Sequence, residues 1–247
     1  MSRKTARNQT SPQRGNATPS PPPAATRGPR WSLIFGAGAI LLLVFLAGNL
    51  LFSSKATQPS PAAATGDPAA LASEHSPTLG DPGAVVHIVE FLDPACETCA
   101  QLYPHVKQML ADHPGRIRLS IRHVPFHQGA EFVVRLLEAS RAQDKYWQTL
   151  EALLASQAQW APHHTVQPEL VWPAIAGVGL DRARLEADMA SPAVAARMQR
   201  DIDDARALKV TATPEYFVNG RPLPSFGLQQ LQDLVNDELR KAAVPLD

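Results

Sequence analysis

The chain has 247 residues, enough for one or two domains, and its 23 basic and 23 acidic side chains balance. The balance conceals an asymmetry, because residues 1–55 carry seven basic side chains and no acidic one, whereas the remainder carries 16 basic and 23 acidic side chains. A nucleic-acid footprint needs a clustered basic face, which the acidic part does not offer. We therefore expect no nucleic-acid partner.

The first 77 residues divide into three segments by composition. Residues 1–30 are rich in Pro, Ser, Thr, Asn and Arg without an apolar period, which predicts a disordered tail. Residues 31–52 contain no charge and would reach about 33 Å as a helix, enough to cross the hydrocarbon core of a bilayer. Residues 53–77 are rich in Ala, Pro, Ser and Thr and predict a flexible linker.

The charge distribution orients the predicted transmembrane helix. Six of the seven basic residues precede residues 31–52, so the positive-inside rule predicts a cytoplasmic N-terminus. We expect a single-pass membrane protein whose residues 78–247 lie outside the cytoplasm. A cleaved signal peptide is the alternative, with a poor small-x-small site at 54–56, but the apolar core of a signal peptide usually runs only about 7–15 residues.

Alternating and helical patterns begin near residue 78. Residues 84–91 form an apolar run that predicts a buried strand. Helical spacing of apolar residues starts at Cys96 and includes Pro104, which should kink the helix. Residues 116–124 alternate between apolar and polar side chains, which predicts a second strand with its polar residues on the other face.

The remaining pattern is mostly helical. Residues 129–208 show no convincing strand and predict a block of helices. Residues 216–218 followed by Asn219-Gly220 predict a strand that enters a tight turn, and the apolar spacing over 228–239 predicts a closing amphipathic helix. The order predicts an α/β domain over 78–247 with a helical insertion at about 129–208.

Cys96 and Cys99 are the two cysteines of the chain and lie three positions apart where a strand gives way to a helix. Such a pair can convert between a dithiol and a Cys96–Cys99 disulfide without rearranging the fold, which indicates a redox site. A structural staple is the alternative, but the chain-entropy gain for so short a ring is only about 2 kcal/mol. An exported domain would also meet an oxidising environment, where disulfides persist.

The start of the helix assigns different roles to the two sulfurs. Unpaired backbone N–H groups and the positive end of the helix dipole should stabilise a thiolate at Cys96. Cys99 lies one turn further along on the apolar face, so its thiol should be more buried. We expect Cys96 to be the exchanging sulfur and Cys99 to resolve the mixed disulfide.

These features together resemble the thioredoxin superfamily, and within it the DsbA-like thiol–disulfide oxidoreductases. The resemblance covers residues from about 78 to 242 and implies a thioredoxin-like α/β fold with an inserted α-helical domain, here preceded by one N-terminal transmembrane helix. The motifs that carry it are Val89-Glu90-Phe91, Cys96-Glu97-Thr98-Cys99, Pro104 and the run Thr213-Pro214-Glu215-Tyr216-Phe217-Val218-Asn219-Gly220.

The resemblance implies roles for three further residues. Pro214 matches the cis-proline that faces the cysteine pair, and the backbone of Thr213 would pair with a bound client segment by short β-augmentation. Glu90 matches a buried acid beneath the pair, where a raised pKa would let it accept the proton of Cys99. The alternative for Glu90 is a solvent-facing residue at a strand edge.

The residues between the cysteines depart from the family pattern. DsbA-like oxidases usually carry Pro-His there, whereas this chain carries Glu97-Thr98. An acidic neighbour should raise the pKa of Cys96, so we expect a weaker oxidant than the strongest family members. Thr213 before the cis-proline instead resembles the isomerase branch, and the direction of electron flow stays open among oxidase, isomerase and reductase.

The expected function is therefore a membrane-anchored periplasmic thiol–disulfide oxidoreductase that acts on cysteines of exported proteins. The resemblance implies a membrane redox partner, either a DsbB-like oxidase or a thiol reductant, and no organic cofactor or metal. One rival is a periplasmic Cu(I) carrier or metalloenzyme assembly factor on the same fold, because soft thiolates suit that ion. Another is a non-catalytic binding module.

Four histidines are candidate metal ligands. His123 and His127 flank Pro125, and His163 and His164 are adjacent in a predicted loop. Neither set combines with the cysteine pair at an obvious ligand spacing. We expect all four to be surface or loop residues.

Overall fold

The computed structural model describes residues 68–71 and 73–243. The predicted tail at 1–30 and the predicted transmembrane helix at 31–52 lie outside these residues. In the described part of the chain, no helix has both the length and the apolarity needed to span a bilayer.

A mixed sheet of five strands, ordered β1-β3-β2-β4-β5, forms the centre of the described chain. Strands β2 and β3 are parallel, and every other neighbouring pair is antiparallel. The predicted strands at 84–91, 116–124 and 216–218 are confirmed, with ends shifted by one or two residues. The strands are β1 Thr78–Gly80, β2 Val86–Leu92, β3 Ile117–His123, β4 Glu215–Val218 and β5 Arg221–Pro222.

The central strand β2 is covered on both faces. Ile88 and Leu92 pack into the larger apolar cluster on one face, whereas Val89 and Phe91 pack into a smaller cluster on the other. A strand that is buried on both sides reads as a continuous apolar run rather than an alternation. Glu90 interrupts that run and is fully buried.

The described residues also contain nine α-helices. Six of them lie between β3 and β4, where the sequence predicted a helical insertion, and α2 runs through Pro104 without ending there. The helices are α1 Pro68–Leu71, α2 Glu97–Asp112, α3 Ala130–Ser140, α4 Tyr146–Ala155, α5 Gln157–Trp160, α6 Pro168–Ile175, α7 Arg182–Met189, α8 Pro192–Ala207 and α9 Leu228–Lys241.

The predicted turn between β4 and β5 is confirmed. Asn219 and Gly220 have φ angles of 48° and 80°, the pair of positive values that a type I′ hairpin turn requires. The Asn219 side chain also donates to the carbonyl of Val85 at 3.1 Å and to Glu238 at 3.0 Å. The turn is thereby fastened to the residue before β2 and to α9.

The predicted linker at 53–77 extends too far. Helix α1 places Leu71 in the smaller apolar cluster against β2 and β4, and the buried Arg122 side chain donates to the carbonyl of Ala70. The composition of residues 53–77 taken as a whole does not indicate this contact. One buried leucine and one backbone carbonyl are enough to attach a short helix to an apolar face. The folded unit therefore begins before residue 78.

The burial of the second face of β3 also differs from the sequence prediction. The alternation put Arg122 on a polar face, yet its side chain is fully buried beneath α1 and α8. Its guanidinium donates to Asp201 at 2.6 Å and also to Asp204, and it lies 5.5 Å from the ring centre of Phe91. A buried charge needs such partners, and α8 supplies both carboxylates.

Replacing Leu71 with alanine should measure how much α1 contributes to stability. Leu71 is 5% exposed, so we expect Leu71→Ala to lower the free energy of unfolding by about 2 kcal/mol, near the low end for a buried leucine because a short helix can readjust. Leu170→Ala is the control, since that side chain is 38% exposed. Equal urea midpoints for the two variants would show that α1 is not docked in solution.

Candidate active site

The two cysteines sit at the junction of β2 and α2. Cys96 is the N-cap residue of α2, with extended backbone angles and no side-chain cap hydrogen bond. Cys96 is 4% exposed and Cys99 is 0% exposed, so the predicted order of burial is confirmed. Both are free thiols, and the Cys96–Cys99 disulfide remains a prediction.

The surroundings of Cys96 favour its thiolate. The pKa of Cys96 is lowered from 9.0 to about 5, and a hydrogen bond from the Cys99 thiol is the largest cause. The backbone of Cys99 and Thr98 and the side chain of Thr213 lower the pKa further, while burial opposes the shift. Cys96 is therefore a thiolate at neutral pH. The expected rise from Glu97 is not among these causes; the Glu97 side chain is exposed, and water screens it.

Cys99 is shifted in the opposite direction. Burial is the main cause that raises the pKa of the Cys99 thiol well above its ordinary value, and the hydrogen bond to Cys96 and the charges of Glu90 and Cys96 add to it. The proton that Cys99 keeps is the proton that stabilises the Cys96 thiolate. One sulfur is thus ready to attack, while the other needs a base before it can.

The residues around position 214 reach the same end of the sheet. Strand β4 pairs with β2 so that Glu215 lies opposite Phe91, which brings the start of β4 beside the cysteine turn. The Thr213–Pro214 peptide bond is cis, as the resemblance implies. In its thiol form, Cys96 Sγ donates to the carbonyl oxygen of Thr213 at 3.3 Å.

Glu90 lies within the interior beneath the pair, so the solvent-facing alternative is wrong. Its Oε1 accepts a hydrogen bond from the Tyr216 hydroxyl at 3.1 Å, and its Oε2 has no partner among the described residues. Burial raises the pKa of Glu90 from 4.5 to about 8; the Tyr216 hydrogen bond opposes the rise, and the Cys96 charge adds to it. A carboxyl group with that pKa can both take and return a proton near neutral pH.

Removing the Thr213 hydroxyl should weaken the stabilisation of the thiolate. Its Oγ1 is buried and has no other hydrogen-bond partner among the described residues, so the hydroxyl is free to donate to the Cys96 thiolate, and the Thr213 side chain lowers the pKa of Cys96. We expect the isosteric Thr213→Val to raise the pKa of Cys96 by less than about one unit, measured by the pH dependence of alkylation. Thr213→Ser keeps the hydroxyl, and an equal shift in both variants would contradict this role.

Sequence reasoning missed Asp93, which organises the turn before Cys96. Its buried carboxylate accepts hydrogen bonds at 2.8 Å from the backbone N–H groups of Ala95, Phe126 and His127, and at 2.7 Å from Nδ1 of His127. An Asp-Pro pair directly after a buried strand is a turn signal that could have identified this residue. Asp93 joins the end of β2 to the loop that follows β3.

The expectation of surface or loop histidines is wrong for His123. Its ring is fully buried at the end of β3 and forms a hydrogen bond of 2.8 Å with the Tyr146 hydroxyl, while burial lowers its pKa. His127 and His164 are partly buried and stack on each other with ring centres 4.6 Å apart. His163 is exposed, as expected.

A two-cysteine motif at the start of a helix, facing a cis-proline and lying above a buried acid, is the arrangement expected of a redox site on a thioredoxin-like fold. The chain belongs to the Thioredoxin family, whose model matches residues 72–237. The six helices between β3 and β4 give this thioredoxin-like fold the helical insertion that the DsbA-like resemblance implies.

Solved structures agree with this assignment. A thioredoxin-like oxidoreductase from Silicibacter pomeroyi is 30% identical, with a TM-score of 0.62, and the match covers 71% of this chain and 98% of that one. Oxidised BdbD from Bacillus subtilis is 23% identical, with a TM-score of 0.59 and coverage of 67% and 94%. At 23% identity, the likeness to BdbD shows a shared fold.

Curated relatives include proteins of two names. Disulfide bond formation protein D of Bacillus subtilis is 23% identical over 178 residues, which are 66% of this chain and 77% of that protein. The Na(+)/H(+) antiporter NhaA of Herminiimonas arsenicoxydans is 33% identical over 144 residues, 58% of this chain but 22% of the antiporter. This chain thus spans about a fifth of the antiporters that it matches.

Proposed function

We propose that this protein exchanges disulfides with the cysteines of exported proteins, while residues 31–52 anchor it in the inner membrane with its catalytic domain in the periplasm. The observation that carries the exchange activity is the position of Cys96, whose pKa of about 5 belongs to a sulfur 3.3 Å from the Thr213 carbonyl. The uncharged length of residues 31–52 and the basic residues before it support the anchor.

In the oxidising direction, a client thiolate attacks Sγ of Cys96 in the Cys96–Cys99 disulfide. The sulfur–sulfur bond breaks, Cys99 leaves and takes up a proton from Glu90, and a mixed disulfide joins Cys96 to the client. A second client thiolate then attacks the client sulfur and releases Cys96 as a thiolate. The client loses two electrons, and the cysteine pair gains them.

In the reducing direction the same steps run backwards. The Cys96 thiolate attacks a client disulfide, and the resulting mixed disulfide is cleaved by Cys99. Because the pKa of Cys99 is raised well above its ordinary value, this step needs a base, and Glu90 is the buried carboxylate whose charge acts on Cys99. A membrane redox partner, either a DsbB-like oxidase or a thiol reductant, would reset the pair.

Client selection is proposed to rely on main-chain contacts. The Thr213 backbone lies against the reactive sulfur, so a client strand that pairs there by β-augmentation would bring its own sulfur to Cys96. Such pairing reads the backbone rather than a particular sequence. It therefore suits unfolded exported proteins with different cysteine contexts.

The equilibrium constant with glutathione tests the proposal and sets the direction. A pKa of about 5 lies between roughly 7 for thioredoxin and roughly 3.5 for DsbA, so we expect a reduction potential between about −270 and −120 mV. This would agree with an oxidant weaker than the strongest family members. A full-length protein that forms no mixed disulfide with a cysteine-containing client peptide would overturn the proposal.

The Cu(I)-carrier alternative can be tested on the same reduced protein. Copper titration monitored by competition with a Cu(I) chelator should show weak binding if the pair serves exchange. Stoichiometric tight binding without client oxidation or reduction would replace the exchange proposal with metal carriage.

A further inference from the structure

The turn immediately before Cys96 is held by hydrogen bonds from side chains of the helical insertion. The carbonyl oxygen of Ala95 accepts a hydrogen bond from the side-chain amide of Gln157 on α5 at 2.6 Å and another from Nδ1 of His164 at 3.3 Å. Ala95 is fully buried, so its carbonyl depends on protein partners. The residue next to the reactive sulfur is therefore anchored to a different part of the fold.

His164 is itself held in place by a second histidine. Its ring stacks on that of His127, with centres 4.6 Å apart and planes inclined by 19°. Nδ1 of His127 donates to Oδ2 of the buried Asp93 at 2.7 Å, and Oδ1 of the same carboxylate accepts the N–H of Ala95 at 2.8 Å. Asp93, His127, His164 and Ala95 thus form a closed set of contacts around the turn.

The backbone that presents His164 adopts an uncommon conformation. His163 and His164 have φ angles of 51° and 59°, so two consecutive residues other than glycine lie in the left-handed region. Such residues persist where surrounding contacts fix them, and they cluster at functional sites. Here the conformation places one ring against the Ala95 carbonyl, while the neighbouring ring is exposed.

We propose that His164 is a positioning residue for Cys96: its ring N–H fixes the Ala95 carbonyl and so keeps the first backbone N–H groups of α2 directed at the reactive sulfur. The proposal rests on the exchange function proposed above. A carbonyl oxygen can only accept, so Nδ1 of His164 carries the hydrogen, as both the neutral and the protonated ring allow. The role therefore does not require a change of charge.

The link from this turn to the sulfur is direct. The N–H of Cys96 donates to the carbonyl of Asp93 at 3.0 Å, so the backbone of the N-cap residue is set by the turn. The backbone groups of Thr98 and Cys99 then contribute to the lowered pKa of Cys96. Without His164, the Ala95 carbonyl would keep only its hydrogen bond from Gln157. The less constrained N-cap would then weaken those two contributions.

The matched variants are His164→Gly and His163→Gly in the full-length protein. Glycine relieves the left-handed backbone at both positions, so folding is protected and only one variant loses the bond to Ala95. We expect His164→Gly to raise the pKa of Cys96 by about one unit and to change the equilibrium constant with glutathione about tenfold toward a weaker oxidant. His163→Gly should match the parent in both measurements.

A rescue variant separates the donor from the ring. In His164→Asn the side-chain N–H can occupy the place of Nδ1, and asparagine tolerates the left-handed conformation, so most of the shift should be restored. Parent-like values in His164→Gly, or equal shifts in both glycine variants, would overturn the positioning role. A parent protein that exchanges no disulfides would instead refute the proposed function.

Discussion

Replacing Cys96 with serine should reduce disulfide exchange by about 10³-fold or more, because a serine hydroxyl is neither a thiolate nor able to form a disulfide. Cys99→Ser should lose turnover for a different reason. It keeps the exchanging sulfur but cannot resolve the mixed disulfide, so Cys96 stays attached to the client.

Mass spectrometry after incubation with an oxidised client peptide separates the two variants. Cys99→Ser should accumulate a covalent adduct of one protein and one peptide, whereas Cys96→Ser should show none. The chain has no further cysteine to complicate the spectrum. An adduct on Cys96→Ser would assign the attacking role to Cys99 and reverse the roles inferred from burial and helix position.

The parts of the site that are close in sequence were predictable. The strand before the cysteines, the helix after them and the order of burial of Cys96 and Cys99 follow from local spacing and from the start of a helix. Glu90 and the cis bond before Pro214 were identified by resemblance. The leading cause of the Cys96 pKa was not foreseen, because it depends on the contact between the two thiols.

The parts that the sequence did not reveal depend on contacts between distant segments. Arg122 was expected on a polar face, but its burial is possible only because α8 returns with Asp201 and Asp204 to pair with it. His127 and His164 meet because the insertion folds back over the turn. Periodicity reports which face of an element is apolar; it does not report which distant polar groups will complete a buried network.

The shifted pKa values of Glu90 and Cys96 act on stability in opposite directions. Cys96 has a folded pKa of about 5 against an ordinary 9.0, so its contribution is full above pH 9 and is lost as the pH falls to 5. Glu90 has a folded pKa of about 8 against 4.5, so its contribution is full below pH 4.5 and is lost as the pH rises to 8. Each slope is about 1.36 kcal/mol per pH unit; together they should nearly cancel in the reduced protein.

Glu90→Gln should remove the Glu90 contribution to the pH dependence of the free energy of unfolding. It should also show whether Glu90 acts in catalysis, because its effects on stability and on exchange are measured separately. Gln keeps an acceptor for the Tyr216 hydroxyl but cannot ionise, so the reduced variant should gain stability from pH 5 to 9 and exceed the parent at pH 9 by up to about 5 kcal/mol. The same change removes the base for Cys99, so resolution of the mixed disulfide should slow by about 10²-fold.

Urea unfolding of the reduced protein at pH 5, 7 and 9, paired with stopped-flow decay of a preformed mixed disulfide, measures both effects. Glu97→Gln is the matched control, because Glu97 lies beside Cys96 in sequence but its side chain is exposed. It should leave the stability profile and the decay rate unchanged. If Glu90→Gln is no more stable than the parent at pH 9, Glu90 already ionises freely in the folded protein, and a buried proton acceptor beneath the cysteines is the wrong description of the site.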